Sequence, residues 1–137
     1  MTARPAALLA LSLLPALLLG ATEQASTDTI ISDCGGGVTG GGGGTCIEVD
    51  GTAALLRRPR AGAPAEETRL DVPAPYARIA ALLDSAGFVR MPRGAPSNMT
   101  CSITWLRDGQ SHVVTWGIGR APAARQPAWR EIETLSG

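Results

Sequence analysis

The chain has 137 residues and no net charge, with twelve arginines and no lysine against twelve acidic side chains. A length of about one ordinary domain excludes a multidomain enzyme, and the balanced charge gives no basic excess to draw the chain onto nucleic acid or anionic lipid. Only five side chains are aromatic (Tyr76, Phe88, Trp105, Trp116 and Trp129), so a core built from this sequence is thin in large groups and each of the five is informative.

The first residues read as a targeting segment. Arg4 supplies a positive charge, Ala6 to Gly20 is almost unbroken Ala and Leu interrupted by Ser12 and Pro15, and a polar stretch follows from Thr22 to Asp28. This is the layout of a secretory signal peptide. The apolar run is shorter than the roughly 20 residues that cross a bilayer core, and Pro15 would break a long straight helix, which argues against a stable membrane anchor. Ala21 at the −1 position with Leu19 at −3 is the expected cleavage site, with Gly20 and Ala25 as neighbouring alternatives. The organisation read from this is a signal peptide over 1–21, a polar leader over 22–28 and one domain over 29–137, secreted or periplasmic.

Export permits disulfides. With three cysteines, Cys34, Cys46 and Cys101, at most one internal bridge forms and one thiol is left over. Of the three pairings, Cys34 with Cys46 is expected, because both flank a glycine-rich segment that a hairpin would close. Such a short loop contributes about 3 kcal/mol at best on loop-entropy grounds.

Taken in chain order, the pattern predicts a strand over 29–33 and its neighbour over 45–50. They are joined by a segment in which eight of the ten residues from Gly35 to Gly44 are glycine. A phosphate-binding loop is excluded because it ends in Gly-Lys-Ser/Thr and this chain has no lysine; a dinucleotide fingerprint needs a following helix, whereas Cys46-Ile47-Glu48-Val49 alternates as a strand. The run therefore reads as a flexible hairpin loop. Asp50-Gly51 is a favoured two-residue turn into a strand over 52–57, which Arg57-Arg58-Pro59-Arg60 ends as a solvated arginine cluster. Thr68 to Val72 alternates again, with Thr68, Leu70 and Val72 on one face.

The clearest helix spans 73–86, where Tyr76, Ile79, Leu82 or Leu83 and Ala86 recur at spacings of three and four. Pro73 and Pro75 fall in its first turn, and Gly87 with Phe88 forms a left-handed stop with a hydrophobic clamp. Strands over 98–106 and 111–116 flank a second favoured turn, Asp108-Gly109. With those two residues at its centre, Arg107 pairs with Gln110, Trp105 with His112, Ile103 with Val114 and Cys101 with Trp116. One face of that hairpin is then apolar and needs a cover, for which the central helix is the natural partner. After a loop over 117–125, Pro127 fits the first turn of a short terminal helix with Trp129, Ile132 and Leu135 inward.

His112 is the only histidine, and a neutral-pH acid-base mechanism would have to use it. It sits opposite Trp105 near the turn, the setting of a packed, half-exposed side chain. Cys101 shares its face but lies four to five positions away, more than about 10 Å at a strand's rise, too far for a thiol-imidazole dyad. One histidine and three separated cysteines give no paired metal-ligand spacing, and Asp28, Asp33, Glu48 and Asp50 lack the alternation of a calcium loop. No catalytic, cofactor or metal residues are assigned. Asn98-Met99-Thr100 is formally a glycosylation sequon, but the lysine-free, Ala-, Arg- and Gly-rich usage matches a GC-rich bacterium.

Several segments between Cys34 and Leu135 resemble the emfourin-like family of small bacterial proteins, named after an inhibitor of a thermolysin-type metalloprotease. The resemblance is carried by Gly36-Gly37 and Gly40 in an early strand, Val49-Asp50-Gly51 leading into the next, Ile79 to Phe88, and the terminal hairpin with its following helix. It implies a secreted metalloprotease as partner, while the longer glycine run, the added cysteines and the leading segment depart from the family's pattern. The expected fold is α+β: an antiparallel sheet of five or six strands built from hairpins, with the central helix on one face and a short C-terminal helix beside it. The expected function is a small exported, non-enzymatic protein-binding module of the peptidase-inhibitor kind. The alternatives are a hydrolase or thiol enzyme using His112, or a passive envelope protein.

Overall fold

The computed structural model describes residues 27–137, in which alternation of period two sets out the strands. The expected signal peptide over 1–21, its cleavage at Ala21 and leader residues 22–26 lie outside the described residues. Six strands form: β1 (Thr29–Gly36), β2 (Gly42–Glu48), β3 (Ala53–Arg58), β4 (Glu66–Arg69), β5 (Met99–Arg107) and β6 (Gln110–Gly117). They make one antiparallel sheet in the order β4-β3-β2-β1-β5-β6. Two helices, α1 (Tyr76–Ser85) and α2 (Gln126–Thr134), complete the α+β architecture.

The register explains which face the helices cover. On β1, Ile30 opposes Ile47 and Trp105, Ser32 opposes Thr45 and Ile103, and Cys34 opposes Gly43 and Cys101. The β5-β6 register is the one expected, so Val114 and Trp116 share this face. Of these, Ile30, Ile47, Cys101, Ile103, Trp105, Val114 and Trp116 join Ile79 and Leu83 of α1, Ala128 and Ile132 of α2, and Phe88 in one buried core. The opposite face carries Ile31, Cys46, Ala54, Ser102, Thr104 and Thr115, all half-buried, and neither α1 nor α2 lies over them. Short side chains suit a sheet face left to water on one side.

Local chemistry separates the two Asp-Gly turns. Asp108 (φ 51°) and Gly109 (φ 76°) both adopt positive φ, as a two-residue type I′ turn demands. At Asp50-Gly51 only Gly51 does so, at 91°. Its N–H donates to the Glu48 carbonyl at 2.9 Å, and the Glu48 N–H donates to the Thr52 carbonyl at 2.8 Å. The loop is therefore three residues long, a type I turn followed by a left-handed glycine. The Asp50 carboxylate holds it by accepting the Thr52 N–H at 2.8 Å, a local bond that competes with the left-handed geometry of a two-residue turn.

Three other boundaries differ from the sequence reading. Helix α1 begins at Tyr76 rather than Pro73, because a residue before proline is driven from helical geometry and Ala74 precedes Pro75. Strand β4 spans Glu66–Arg69 and leaves Val72 exposed. The glycine run is mainly strand: Gly35 and Gly36 belong to β1, and Gly42, Gly43 and Gly44 to β2. The close approach of β1 and β2 accounts for this, since a methyl group on Gly44 would run into the Ser32 carbonyl.

The disulfide joins Cys34 to Cys101, and Cys46 is free. This corrects the expected Cys34–Cys46 pair. Nearness in sequence is outweighed by the pleat: Cys34 lies on the helix side, whereas Cys46, opposite Ile31, lies on the other. Cys34 and Cys101 are direct cross-strand partners with Cα atoms 4.0 Å apart. Their separation of 67 residues corresponds to about 4 kcal/mol of loop entropy removed from the unfolded chain. Replacing both by serine is expected to cost up to that amount in a urea titration, while Cys46→Ser costs much less.

Candidate functional site

The helices do not cover the inner face evenly. Strand β1 and the β5-β6 hairpin lie beneath Trp105, Phe88 and the two helices, whereas the β2-β3-β4 side ends in an open groove of about 570 Å³. Its floor is formed by Ser32, Cys34, Gly43 and Thr45, one wall by Leu55, Arg57 and Thr68, and the other by Trp129, Ile132, Glu133 and Ser136 around α2. The groove exists because Gly43, between Cys34 and Arg57 in register, presents no side chain where a larger residue would fill the space.

Polar groups in this groove are unevenly satisfied. The Thr45 N–H donates to Ser32 Oγ at 3.0 Å. Thr45 is itself buried, and its Oγ1 has no hydrogen-bond partner among the described residues. An unpaired buried hydroxyl costs about 1–3 kcal/mol, and this one lies beneath the groove floor, shut off from solvent. Arg57 and Glu133, both exposed, place one charge of each sign on the opposing walls. The arrangement suits an apolar side chain carrying a polar group at its tip.

The arginine cluster divides between the two faces of β3. Arg57 belongs to the groove, while Arg58 on the open face donates to Asp33 Oδ2 at 3.2 Å. That bond ties β3 to β1 across β2.

The sequence-singled residues fall elsewhere. His112 is half-buried opposite Trp105. Cys101, on the same face, is committed to the disulfide and has no thiol. Cys46 keeps its thiol on the open face, where burial, then the charges of Glu48 and Glu67, push its pKa above the ordinary thiol value. Thiolate is the reactive form, so this cysteine is held in its unreactive state near neutrality. Among the described residues no group of three or more His, Cys, Asp or Glu side chains is placed to hold a metal ion, and no helix is long and apolar enough to cross a membrane.

One buried charge escaped the sequence reading. Arg125, assigned there to a loop, closes a short 3-10 turn (Ala123–Arg125) before α2 and is 5% exposed. Its guanidinium lies 4.9 Å from the centre of the Trp116 ring, which Trp129 meets edge-on at 5.1 Å. Its Nε and one terminal nitrogen have no hydrogen-bond partner among the described residues, and burial lowers its pKa. The only sequence signal was its place two residues before Pro127 and four before Trp129.

No protein-family model matches the chain, and no curated protein matches it.

Cys46 should alkylate more slowly than a cysteine in an unfolded peptide at pH 8, with its rate still climbing above pH 9. Glu48→Gln should raise the rate at pH 8, which mass spectrometry of the modified chain would reveal. Arg125→Met, which keeps the stem against Trp116 and removes an unpaired buried charge, should leave the urea midpoint unchanged or raise it. Arg125→Ala should cost about 1–2 kcal/mol through lost packing on the indole.

Proposed function

We propose that this protein is an exported protein-binding module that acts by surface complementarity, as a peptidase inhibitor of the kind the emfourin-like resemblance implies. The observation that carries the reading is the groove between α2 and β3, apolar along Leu55, Trp129 and Ile132 and flanked by the opposite charges of Arg57 and Glu133. Pre-formed concave sites with a few convergent polar groups are the usual seats of recognition. The Cys34–Cys101 bond suits an oxidising compartment outside the cytoplasm, which agrees with the signal peptide read in the first residues. The setting of His112 against Trp105 and the raised pKa of the free thiol favour binding over chemistry.

Within this reading, a side chain from the partner enters the groove and packs on Leu55, Trp129 and Ile132. Arg57 on the rim attracts an acidic neighbour of that side chain. A secreted thermolysin-type metalloprotease titrated with the purified oxidised protein should lose activity toward one-to-one stoichiometry. Arg57→Glu should weaken inhibition about tenfold or more, and His112→Ala should leave it unchanged. Full protease activity at micromolar protein would overturn the inhibitor assignment, and loss of inhibition in His112→Ala would overturn the placement of the site.

A further inference from the structure

Strand β4 ends the sheet, and all four of its residues are exposed. The direction of its backbone groups follows from one hydrogen bond. The Leu70 N–H donates to the Ala53 carbonyl at 2.9 Å, and Leu70 and Ala53 continue the β3-β4 register. Antiparallel partners alternate between hydrogen-bonded and non-hydrogen-bonded pairs. Thr68 opposite Leu55 and Glu66 opposite Arg57 therefore also face β3 with their backbone groups. The N–H and C=O of Glu67 and Arg69 point off the sheet. Both of these side chains lie on the open face, two positions apart and opposite in charge, and neither makes an ion pair among the described residues.

A strand that offers a carboxylate and a guanidinium at alternate edge positions is complementary to itself. We propose that β4 pairs antiparallel with β4 of a second copy of this chain about a two-fold axis at Thr68, so that Glu67 faces Arg69 of the partner subunit. Glu67 and Arg69 of both chains then exchange four backbone hydrogen bonds, and two cross-strand ion pairs form on the open face. The two Thr68 side chains meet at the axis in a non-hydrogen-bonded pair, where side chains approach most closely.

Electrostatics selects this register. Centring the pair on Glu67 sets carboxylate against carboxylate, and centring it on Arg69 sets guanidinium against guanidinium; like charges directly opposed are destabilising. The far edge of the sheet is a poorer partner. On β6 the Thr115 N–H is already donated to the Arg93 carbonyl at 2.7 Å, and the remaining edge residues, Ser111, Val113 and Gly117, are uncharged. The pairing stands independently of what occupies the groove, but it places the Thr68 walls of two grooves side by side.

Sedimentation velocity of the purified oxidised protein tests this, with far-UV circular dichroism to confirm that each variant folds. A short edge buries little area, so the wild type should pass from monomer to dimer between micromolar and millimolar concentration. E67R and R69E should each weaken association by about tenfold or more, and the doubly exchanged E67R/R69E chain should recover it. The E67R chain presents two cations and the R69E chain two anions, so mixed one to one they should form a dimer that neither forms alone. A wild type monomeric throughout, a dimer that persists in E67R as pairing through β6 would, or singly substituted chains that fail to pair when mixed would each overturn the proposal.

Discussion

The seam between β1 and β5 holds the molecule together. Strands β1 to β4 form a meander of neighbours, and β5-β6 is a tight hairpin; each half buries only part of an apolar face. Where β1 meets β5, Ile30 sits against Trp105, Ser32 against Ile103 and Cys34 against Cys101, which turns two partial faces into one that both helices can cover. The Trp105 Nε1–H reaches across to the Tyr76 hydroxyl at 3.1 Å, and Arg107 beside it donates to Asp84 at 2.8 Å. Helix α1 is thus tied to the strand that closes the sheet. An ion pair of 2.8 Å between Arg78 and Glu131 then links α1 to α2.

Unequal cover follows from that arrangement. The aromatic side chains gather over the seam and the β5-β6 side, with Phe88 and Trp105 rings 6.2 Å apart and Trp116 against Trp129. The β2-β3-β4 side has glycine, alanine, threonine and leucine to work with. With five aromatic side chains in the sequence, the core is filled where the long-range pairing occurs and left shallow elsewhere. The groove and the free edge of β4 both lie in that shallow half, so rigidity and accessibility are assigned to opposite sides of one sheet.

What the sequence revealed was local. Positive φ at Asp108-Gly109 and the alternation on either side fixed the register of the last hairpin, and Gly87 stopped α1 in the left-handed conformation expected of it, with φ 67°. What it concealed depended on partners distant along the chain. Cys34 and Cys46 look paired on a one-dimensional string because nothing in the string records that β5 returns beside β1. Eight glycines between Gly35 and Gly44 suggest slack chain, yet five lie in strands where close backbone approach leaves no room for a side chain. Thr45 drew no attention in the sequence because a lone threonine in a strand is unremarkable until its hydroxyl proves buried and unpartnered.

The placement of Cys34 and Cys46 on opposite faces of the sheet makes the folded chain selective between disulfides. A bond between those two would have to draw both side chains to one side of the pleat, which the β1-β2 register forbids. Once the sheet stands, Cys34 has one thiol within reach, that of Cys101, and the pleat itself sorts the right pair from the wrong one.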